Sequence, residues 1–343
     1  MSKLIRLSTD NTTFTSLPSN AGDLSSDGEV VDDSILGNTF ESGFTSILNW
    51  TLSADGIYKG VPGYQTCILK QGTSTFATTE DLSLVSGQEY RVNDLTKDIW
   101  DADNPVIIYE DAVDVTDQVA EFNYLFGTIV FKAGYTVVGT LFADFNYFPT
   151  AVLGRFTSFT LNQSVNVVDD SDFQSLKAND GYRLNINGLR TVTLDADGIF
   201  DAASDFQQQL EARDDFILEI QADNDGNSKA RGYFRIGSVN QSGSVGENEV
   251  ESVSFMLSVP SSDYKPFDWS HNGSSTLNNA IIIALDAFND ETTVFMEYLP
   301  NGIGGAGGKT GEAIVSDISL ESSIDDMPRL TINLTGDGAL NSI

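Results

Sequence analysis

The sequence is poor in cysteine, histidine and basic residues, and each shortage excludes a class of chemistry. Because Cys67 is the only cysteine and His271 the only histidine, the chain has neither an intrachain disulfide nor the ligand set of a usual zinc site. Its 18 basic residues stand against 50 acidic ones, giving a formal net charge of −32. A surface of that sign repels phosphate and argues against gripping a nucleic-acid backbone, although acidity also serves solubility alone.

Long hydrophobic runs are absent as well. The longest apolar stretch, residues 280–285, is far shorter than the roughly 18 residues of a membrane span, and residues 1–10 lack the apolar core of a signal peptide. We therefore expect no membrane insertion. A length of 343 residues predicts two or three domains.

Catalytic and ligand-binding motifs are missing too. His271 lies in a Gly/Ser/Asn-rich stretch typical of a surface loop, with no motif supporting a Ser-His-Asp triad, so we expect it to be a bystander. The start of a calcium loop at residues 223–227 lacks its later bidentate acid and predicts a hairpin turn. Gly-Lys-Thr at 308–310 lacks the first glycine of a phosphate loop and predicts a connection between two strands. The sequence predicts no catalytic residue, no cofactor and no metal.

Short runs rich in β-branched and aromatic residues dominate the chain and predict a mainly β fold. These runs are 45–52, 106–109, 128–131, 216–220, 233–236, 253–259 and 330–334. Convincing helical periodicity is limited to about 201–213 and 277–288. The residues expected on the buried faces of these helices include Phe206, Leu210, Ile281, Leu285 and Phe288.

The chain contains an internal repeat. TLSADGIY at residues 51–58 returns 142 residues later as TLDADGIF, and VVDDS at 30–34 returns unchanged 137 residues later at 167–171. These matches are collinear and too far apart for solenoid units of roughly 20–50 residues, so they indicate duplicated domains. Closed rings are built from such repeated surfaces.

A weaker correspondence between 201–260 and 277–340, each a helix followed by strands, extends the repeat. A boundary at residue 150 also remains open. The favoured division has one domain at 151–260, a second split between 1–60 and 262–343, and a separate β-rich module at 62–150.

With its acidic segment, strand pair, short helix and closing strands, the segment 155–260 resembles the tail tube domain of long-tailed, siphovirus-like bacteriophages. Residues 232–257, and 311–334 with the trailing Gly-Asp-Gly-Ala-Leu at 336–340, look like the last strand pair and common ending of that family. Residues 63–70 and 119–131 resemble a β module that often precedes such domains.

The resemblance implies a major tail tube protein, a structural subunit whose stacked rings conduct DNA to the host. It also implies β-sandwich or barrel-forming domains whose sheets join across subunits into an inner β-barrel, with the helices outside. Because that family places six single-domain subunits in a ring, two domains here imply a homotrimer with pseudo-hexameric symmetry. The implied partners are other copies, the tape measure, terminator and baseplate proteins, and double-stranded DNA as non-specific passing cargo. The implied location is the virion tail, after synthesis in the bacterial cytoplasm.

Two acidic segments, 18–39 and 165–179, lack a core-forming pattern and predict exposed loops. The resemblance implies that they reach between rings. Their candidate contact residues are Val30, Val31, Asp32, Asp33, Ser34, Val167, Val168, Asp169, Asp170 and Ser171. Lys177, Arg183 and Arg190 are expected to meet carboxylates of an adjacent ring. Strands near 45–52 and 191–192, or their hairpin partners, are expected to line the lumen.

Two alternatives remain. The same domains could serve a minor tail, baseplate or receptor-binding adaptor, which its copy number in the virion would distinguish from a tube subunit. A glycan-cleaving tail enzyme would instead need a pair of carboxylates in a cleft lined by aromatic residues.

Overall fold

The computed structural model describes residues 3–32, 43–57, 67–69, 73–150, 152–178, 182–199, 206–213, 215–222, 226–242, 250–259, 264–271, 275, 277–323 and 326–343. Its strands are β1 (Leu4–Ser8), β2 (Thr15–Ser16), β3 (Ser19–Asp32), β4 (Gly43–Ile57), β5 (Cys67–Leu69), β6 (Thr75–Ser86), β7 (Glu89–Val92), β8 (Ile107–Glu110), β9 (Val113–Asp114), β10 (Val119–Asn123), β11 (Thr128–Phe131), β12 (Leu141–Tyr147), β13 (Val152–Asp169), β14 (Asn185–Ile199), β15 (Phe216–Gln221), β16 (Ser228–Ser242), β17 (Val250–Leu257), β18 (Phe267–His271), β19 (Thr293–Leu299), β20 (Lys309–Ser323), β21 (Asp326–Gly336) and β22 (Asn341–Ser342). Its helices are α1 (Phe173–Ala178), α2 (Phe206–Ala212) and α3 (Asn279–Asn289). The fold is mainly β, as predicted.

The described strands form two sheets, one of fifteen strands and one of seven. The smaller sheet contains β6 to β12, and the larger sheet contains all the others. Strands from both ends of the chain pair in the larger sheet, β1 with β19 and β4 with β21, and a boundary at residue 150 would separate these partners. β5 pairs with β13 and β15, so it belongs to the larger sheet and not with the strands of the predicted module.

Strand order in the larger sheet follows the repeat of the sequence. One half runs β3-β4-β21-β20-β19, and the other runs β13-β14-β17-β16-β15. Each half has one predicted helix before its last strand pair, α3 in the first and α2 in the second. Both predicted helices are confirmed, although residues 201–205 lie outside the described part of the chain. α1 was not predicted.

Alternation of apolar and polar residues buries one face of these strands. In β4, Trp50, Leu52 and Ala54 are buried, whereas Thr51 and Asp55 between and beside them are exposed. The core they form is shared by both halves of the sheet and by α2 and α3. Phe206, Ile281, Leu285 and Phe288 are buried in it, and Leu210 packs against it.

The smaller sheet has its own core, centred on Trp100, Phe131 and Phe145. A buried ionic cluster joins this unit to the larger sheet. Arg231 of β16 is 4% exposed, and its Nη1 lies 2.9 Å from Asp98 Oδ1 while its Nη2 lies 2.7 Å from Glu219 Oε2. Burial alone lowers the pKa of Arg231, but the two carboxylates outweigh burial and hold that pKa above its ordinary value.

Candidate assembly surfaces

The two longest hairpins have the same register. β3 and β4 pair Leu24 with Leu52, and β13 and β14 pair Leu161 with Leu194, which are the equivalent residues in the repeat. The register shifts also fall at equivalent positions. They lie between Ser19 and Ala21 and between Glu29 and Val30 in β3, and between Phe156 and Ser158 and between Val165 and Val167 in β13. The internal repeat therefore extends to the details of strand pairing.

A seam of seven paired residues joins the two halves of the larger sheet. Residues 158–164 of β13 run antiparallel to residues 317–323 of β20, with Leu161 opposite Leu320 at the centre. Both leucines are buried, at 0% and 1% exposure. The two halves thus continue one hydrogen-bonded band of eight strands, β3-β4-β21-β20-β13-β14-β17-β16.

Each end of this band leaves a strand edge that no described residue pairs with. β3 pairs only with β4, and residues 235–242 of β16 pair only with β17. The repeat relates β3 to β13 and β16 to β20, so the open edges are the equivalents of the two strands that form the seam. An unpaired edge of this length is a template for pairing with another chain.

The face of the band opposite the core is polar and acidic. One row across it runs Asp55, Thr331, Ser319, Asn162 and Thr193. Thr331 Oγ1 donates to Asp55 Oδ1 at 2.8 Å, and Ser319 Oγ donates to Asn162 Oδ1 at 2.8 Å. The carboxylates on this face of the described strands include Asp23, Asp27, Asp55, Asp195, Asp197, Asp317 and Glu321, and its basic residues include Arg235 and Arg329. The predicted lumen strands contribute to this face, and its place at a lumen stays a prediction.

Both acidic segments predicted to be loops are largely regular secondary structure, so that prediction is wrong for most of the residues described. The first contains β3, and the second contains the end of β13 followed by α1. Val30, Val31 and Asp32 end β3, and Val167, Val168 and Asp169 end β13. Asp33 and Ser34 lie outside the described residues, whereas Asp170 and Ser171 follow β13. The backbones of these segments are ordered by pairing with β4 and β14 rather than by a core pattern of their own. A role between rings stays a prediction.

Two of the three basic residues expected to bridge rings have partners inside the chain. Arg183 lies 3.5 Å from the Asp169 carboxylate. Arg190 Nη1 donates to the carbonyls of Phe288 and Asn289 at the end of α3, at 2.8 and 2.7 Å. Its Nη2 also lies 2.5 Å from Glu291 Oε1. Nothing is described for the side chain of Lys177.

His271 is not in an exposed loop, so that prediction is wrong. It ends β18 with its side chain 11% exposed, stacked parallel on Trp269. Its Nδ1 lies 2.9 Å from Ser228 Oγ, and its Nε2 lies 3.3 Å from Asp286 Oδ1 without the geometry of a hydrogen bond. Because Ser228 is fully buried, this Ser-His-Asp arrangement offers no nucleophile to a substrate.

A cleft of about 420 Å³ lies between the two sheets and includes Glu89, Asp268 and Asp286. Burial raises the pKa of Asp268 to about 6, against Lys265 and the hydrogen bonds that Asn289 and Asn123 donate to it. The aromatic residues of the cleft, Phe126 and Trp269, are 2% and 5% exposed and leave no stacking platform for a sugar. The glycan-cleaving alternative gains no support here.

The part of the chain that the structure describes has neither a metal cluster nor a membrane-spanning helix. It contains no cluster of three or more His, Cys, Asp or Glu residues suited to a metal ion. None of its helices is both long and apolar enough to cross a membrane.

Comparison with known proteins gives likenesses to solved structures, of which two are described. No family and no curated protein matches the chain. It is similar to a chain in the tail of an empty gene transfer agent particle computed with C6 helical symmetry, with a TM-score of 0.29 and 15% identity over 36% of this chain and 87% of that one. It is also similar to a chain in the virion of a native gene transfer agent particle, with a TM-score of 0.28 and 15% identity over 35% of this chain and 88% of that one. At these scores, neither likeness supports a conclusion about this protein.

Proposed function

We propose that the protein is a structural subunit of a phage-type tail tube, in which three copies form a ring and rings stack around the path of the DNA. The observation that carries the proposal is the seam between β13 and β20. It joins, inside one chain, the equivalents of the two edges that stand open at the ends of the band.

Repetition of that seam between copies gives a closed assembly. In this assembly β16 of one copy pairs with β3 of the next copy, in the same way that β20 pairs with β13 inside one chain. Every two adjacent repeats in the ring are then joined by the same kind of seam. Six repeats supplied by three chains then complete a pseudo-hexameric ring, and each open edge is paired. The register of this pairing between copies follows from the repeat. Ser319 lies opposite Asn162 inside the chain, so their equivalents, Asn240 and Ser25, lie opposite each other between copies. Residues 1–60 with 262–343, and 151–260, are the two tube domains of this proposal.

The polar face is the proposed wall of the lumen. Its carboxylates, hydroxyls and amides present little positive charge to a passing duplex, so DNA finds few places to adhere. Helices α2 and α3 belong to the opposite, core side and are proposed to lie outside. The protein acts without a cofactor, and other tail proteins at the two ends of the tube are proposed partners.

The seam between copies is tested by two substitutions at one exposed position of β16. Asn240→Glu places a carboxylate beside Asp23 and Asp27 of the neighbouring β3, which costs about 0.2–1 kcal/mol at each seam. Asn240→Lys places an opposite charge there and serves as the matched control. Negative-stain imaging and sedimentation of purified protein should show tubes for the wild type and for the Lys variant, and fewer tubes for the Glu variant at low salt. Equal assembly of both variants would contradict the proposed seam.

A further inference from the structure

The larger sheet has a first repeat, β3-β4-β21-β20-β19, and a second repeat, β13-β14-β17-β16-β15. A short segment of the second repeat lies on the first. This arm, residues 182–185, precedes and enters β14. The backbone N–H of Arg183 donates to the Leu48 carbonyl at 2.9 Å, and the Arg183 carbonyl accepts from the Gly338 N–H at 2.8 Å. Asn185 Nδ2 donates to the Gly336 carbonyl at 2.6 Å. Tyr182, at the start of the arm, packs against the main core.

The seat of this arm is built from β4 and the end of β21. Leu48, Gly336 and Gly338 contact the arm, and Trp50 lies beside them with its indole N–H donating to the Gly338 carbonyl at 3.0 Å. Leu52 pairs with Leu334 in the first repeat, and Leu194 pairs with Phe255 in the second. Leu194 is therefore the equivalent of Leu52, and Phe255 is the equivalent of Leu334. Counting along the strands from these residues gives the equivalent of each seat residue. The equivalents of Leu48, Trp50, Gly336 and Gly338 are Arg190, Val192, Leu257 and Val259, respectively.

All four equivalent residues line one open groove of about 260 Å³. Its other walls include Leu189, Phe267 and Phe288. Leu189 is 86% exposed and Val259 is 63% exposed, although both are apolar. The groove is therefore the second repeat's counterpart of a seat that, in the first repeat, holds the arm.

The repeat also identifies the chain segment that corresponds to the arm. An offset of 142 residues takes Tyr182 to Phe40 and Asn185 to Gly43, so the counterpart is the segment 40–43, which begins with an aromatic residue in both copies. Residues 40–42 lie outside the described part of the chain. The arm of the second repeat leads into β14 and contacts β4 and β21, on the other side of the β13–β20 seam. The repeat relates that seam to the proposed pairing of β3 with β16 of another copy.

We propose that this groove receives residues 40–43 of a neighbouring copy, with the Phe40 ring placed against Leu189 and Val259. By analogy with the filled seat, the Glu41 N–H donates to the Arg190 carbonyl and the Val259 N–H donates to the Glu41 carbonyl. The inference rests on the proposed function because the occupant is a second copy of the chain. It adds the groove, the occupying segment and the aromatic side chain that fills the seat.

Photocrosslinking tests the contact with little change to the side chain. Phe40 is replaced by p-benzoylphenylalanine, and ¹⁵N-labelled and unlabelled chains are mixed, assembled and irradiated. Mass spectrometry should find position 40 joined to peptides containing residues 188–192 or 257–267, in products that combine labelled and unlabelled chains. The same probe at Val138, which is 92% exposed in the smaller unit, should give no crosslink to those peptides. Leu189→Glu should abolish the crosslink from position 40, and Leu189→Met should retain it.

The outcomes separate the two proposals. Regular tubes without a crosslink to the groove would overturn the seat and leave the tube intact, as would crosslinks confined to single chains. If neither tubes nor crosslinks form at any concentration, the proposed function falls and the seat falls with it.

Discussion

Leu161 of β13 lies directly opposite Leu320 of β20, and both side chains are buried. This pair stands at the centre of the seam that joins the two halves of the larger sheet. Because the same two kinds of strand stand open at the ends of the sheet, the protein contains one copy of the interface that we propose it makes with itself.

Leu285 of α3 tests the helix packing. It is 0% exposed, and truncation to alanine leaves a cavity in the shared core. We expect Leu285→Ala to lower the free energy of unfolding by about 2–5 kcal/mol. Leu84→Ala is the matched control, since Leu84 is 59% exposed and its truncation should change stability by less than about 0.5 kcal/mol. Urea unfolding measures both, and equal effects would show that the helix face is misassigned.

Arg231 tests the joint between the two sheets. Arg231→Met removes the buried partner of Asp98 and Glu219 and leaves them only Lys229, whose Nζ lies 4.0 Å from Asp98 Oδ2 and 3.3 Å from Glu219 Oε2. The loss should cost about 3–5 kcal/mol. Arg235→Met removes an arginine whose side chain is 57% exposed, paired with Asp215, and should cost less than about 1 kcal/mol. Thermal unfolding would measure the difference in stability between the two variants. Limited proteolysis would show whether the chain between the smaller and the larger sheet becomes more accessible in the Arg231 variant. Similar melting of both variants would contradict the assigned role of the buried cluster.

Asp268 predicts a pH dependence of stability. Its pKa rises from 3.8 to about 6 in the folded protein because its carboxyl is buried. The folded state therefore binds this proton more tightly than the unfolded state, and stability from this group is full below about pH 3.8 and lost as pH rises towards 6. We expect Asp268→Asn to gain roughly 2 kcal/mol relative to the wild type between pH 4 and pH 7.5.

The control for that measurement is Asp23→Asn, because the Asp23 side chain is 92% exposed. Its stability should follow the wild-type pH profile. If the Asp268 variant also follows the wild type, the buried carboxyl is not the source of the pH dependence.

Charge on the polar face predicts how assembled protein treats DNA. Asp27→Lys combined with Asp195→Lys puts cations on the proposed lumen wall, so tubes assembled with duplex DNA should retain nuclease-protected DNA in a salt-sensitive way. The wild type should retain little. Asp81→Lys combined with Asp117→Lys makes the same change of charge on the smaller unit and should protect none. Equal protection in both variants would place the polar face outside the lumen.

The sequence predicted the elements whose own residues form a pattern. The period of Ile281, Leu285 and Phe288 gives α3, because a helix buries one stripe. β3 was missed because its polar face is rich in Ser and Asp, and its core face offers only Gly22 and the partly buried Leu24 in mid-strand. Its conformation comes from pairing with β4, which propensity does not report.

The contacts that define the candidate surfaces are also distant in sequence. The Gly, Ser and Asn residues around His271 indicate a loop. Its burial instead depends on Ser228 in another strand and on stacking against Trp269. The arm and its seat combine Arg183, Leu48 and Gly338, which no local pattern connects. Only the duplication allows such contacts to be carried from one repeat to the other.

The most direct test of the central claim is cryo-electron microscopy of the assembled protein at a resolution that separates strands. The account predicts rings of three chains with pseudo-sixfold symmetry, in which β16 of each chain pairs with β3 of the next and the polar face lines a central channel. Rings of six complete chains, or a seam that uses other strands, would contradict it.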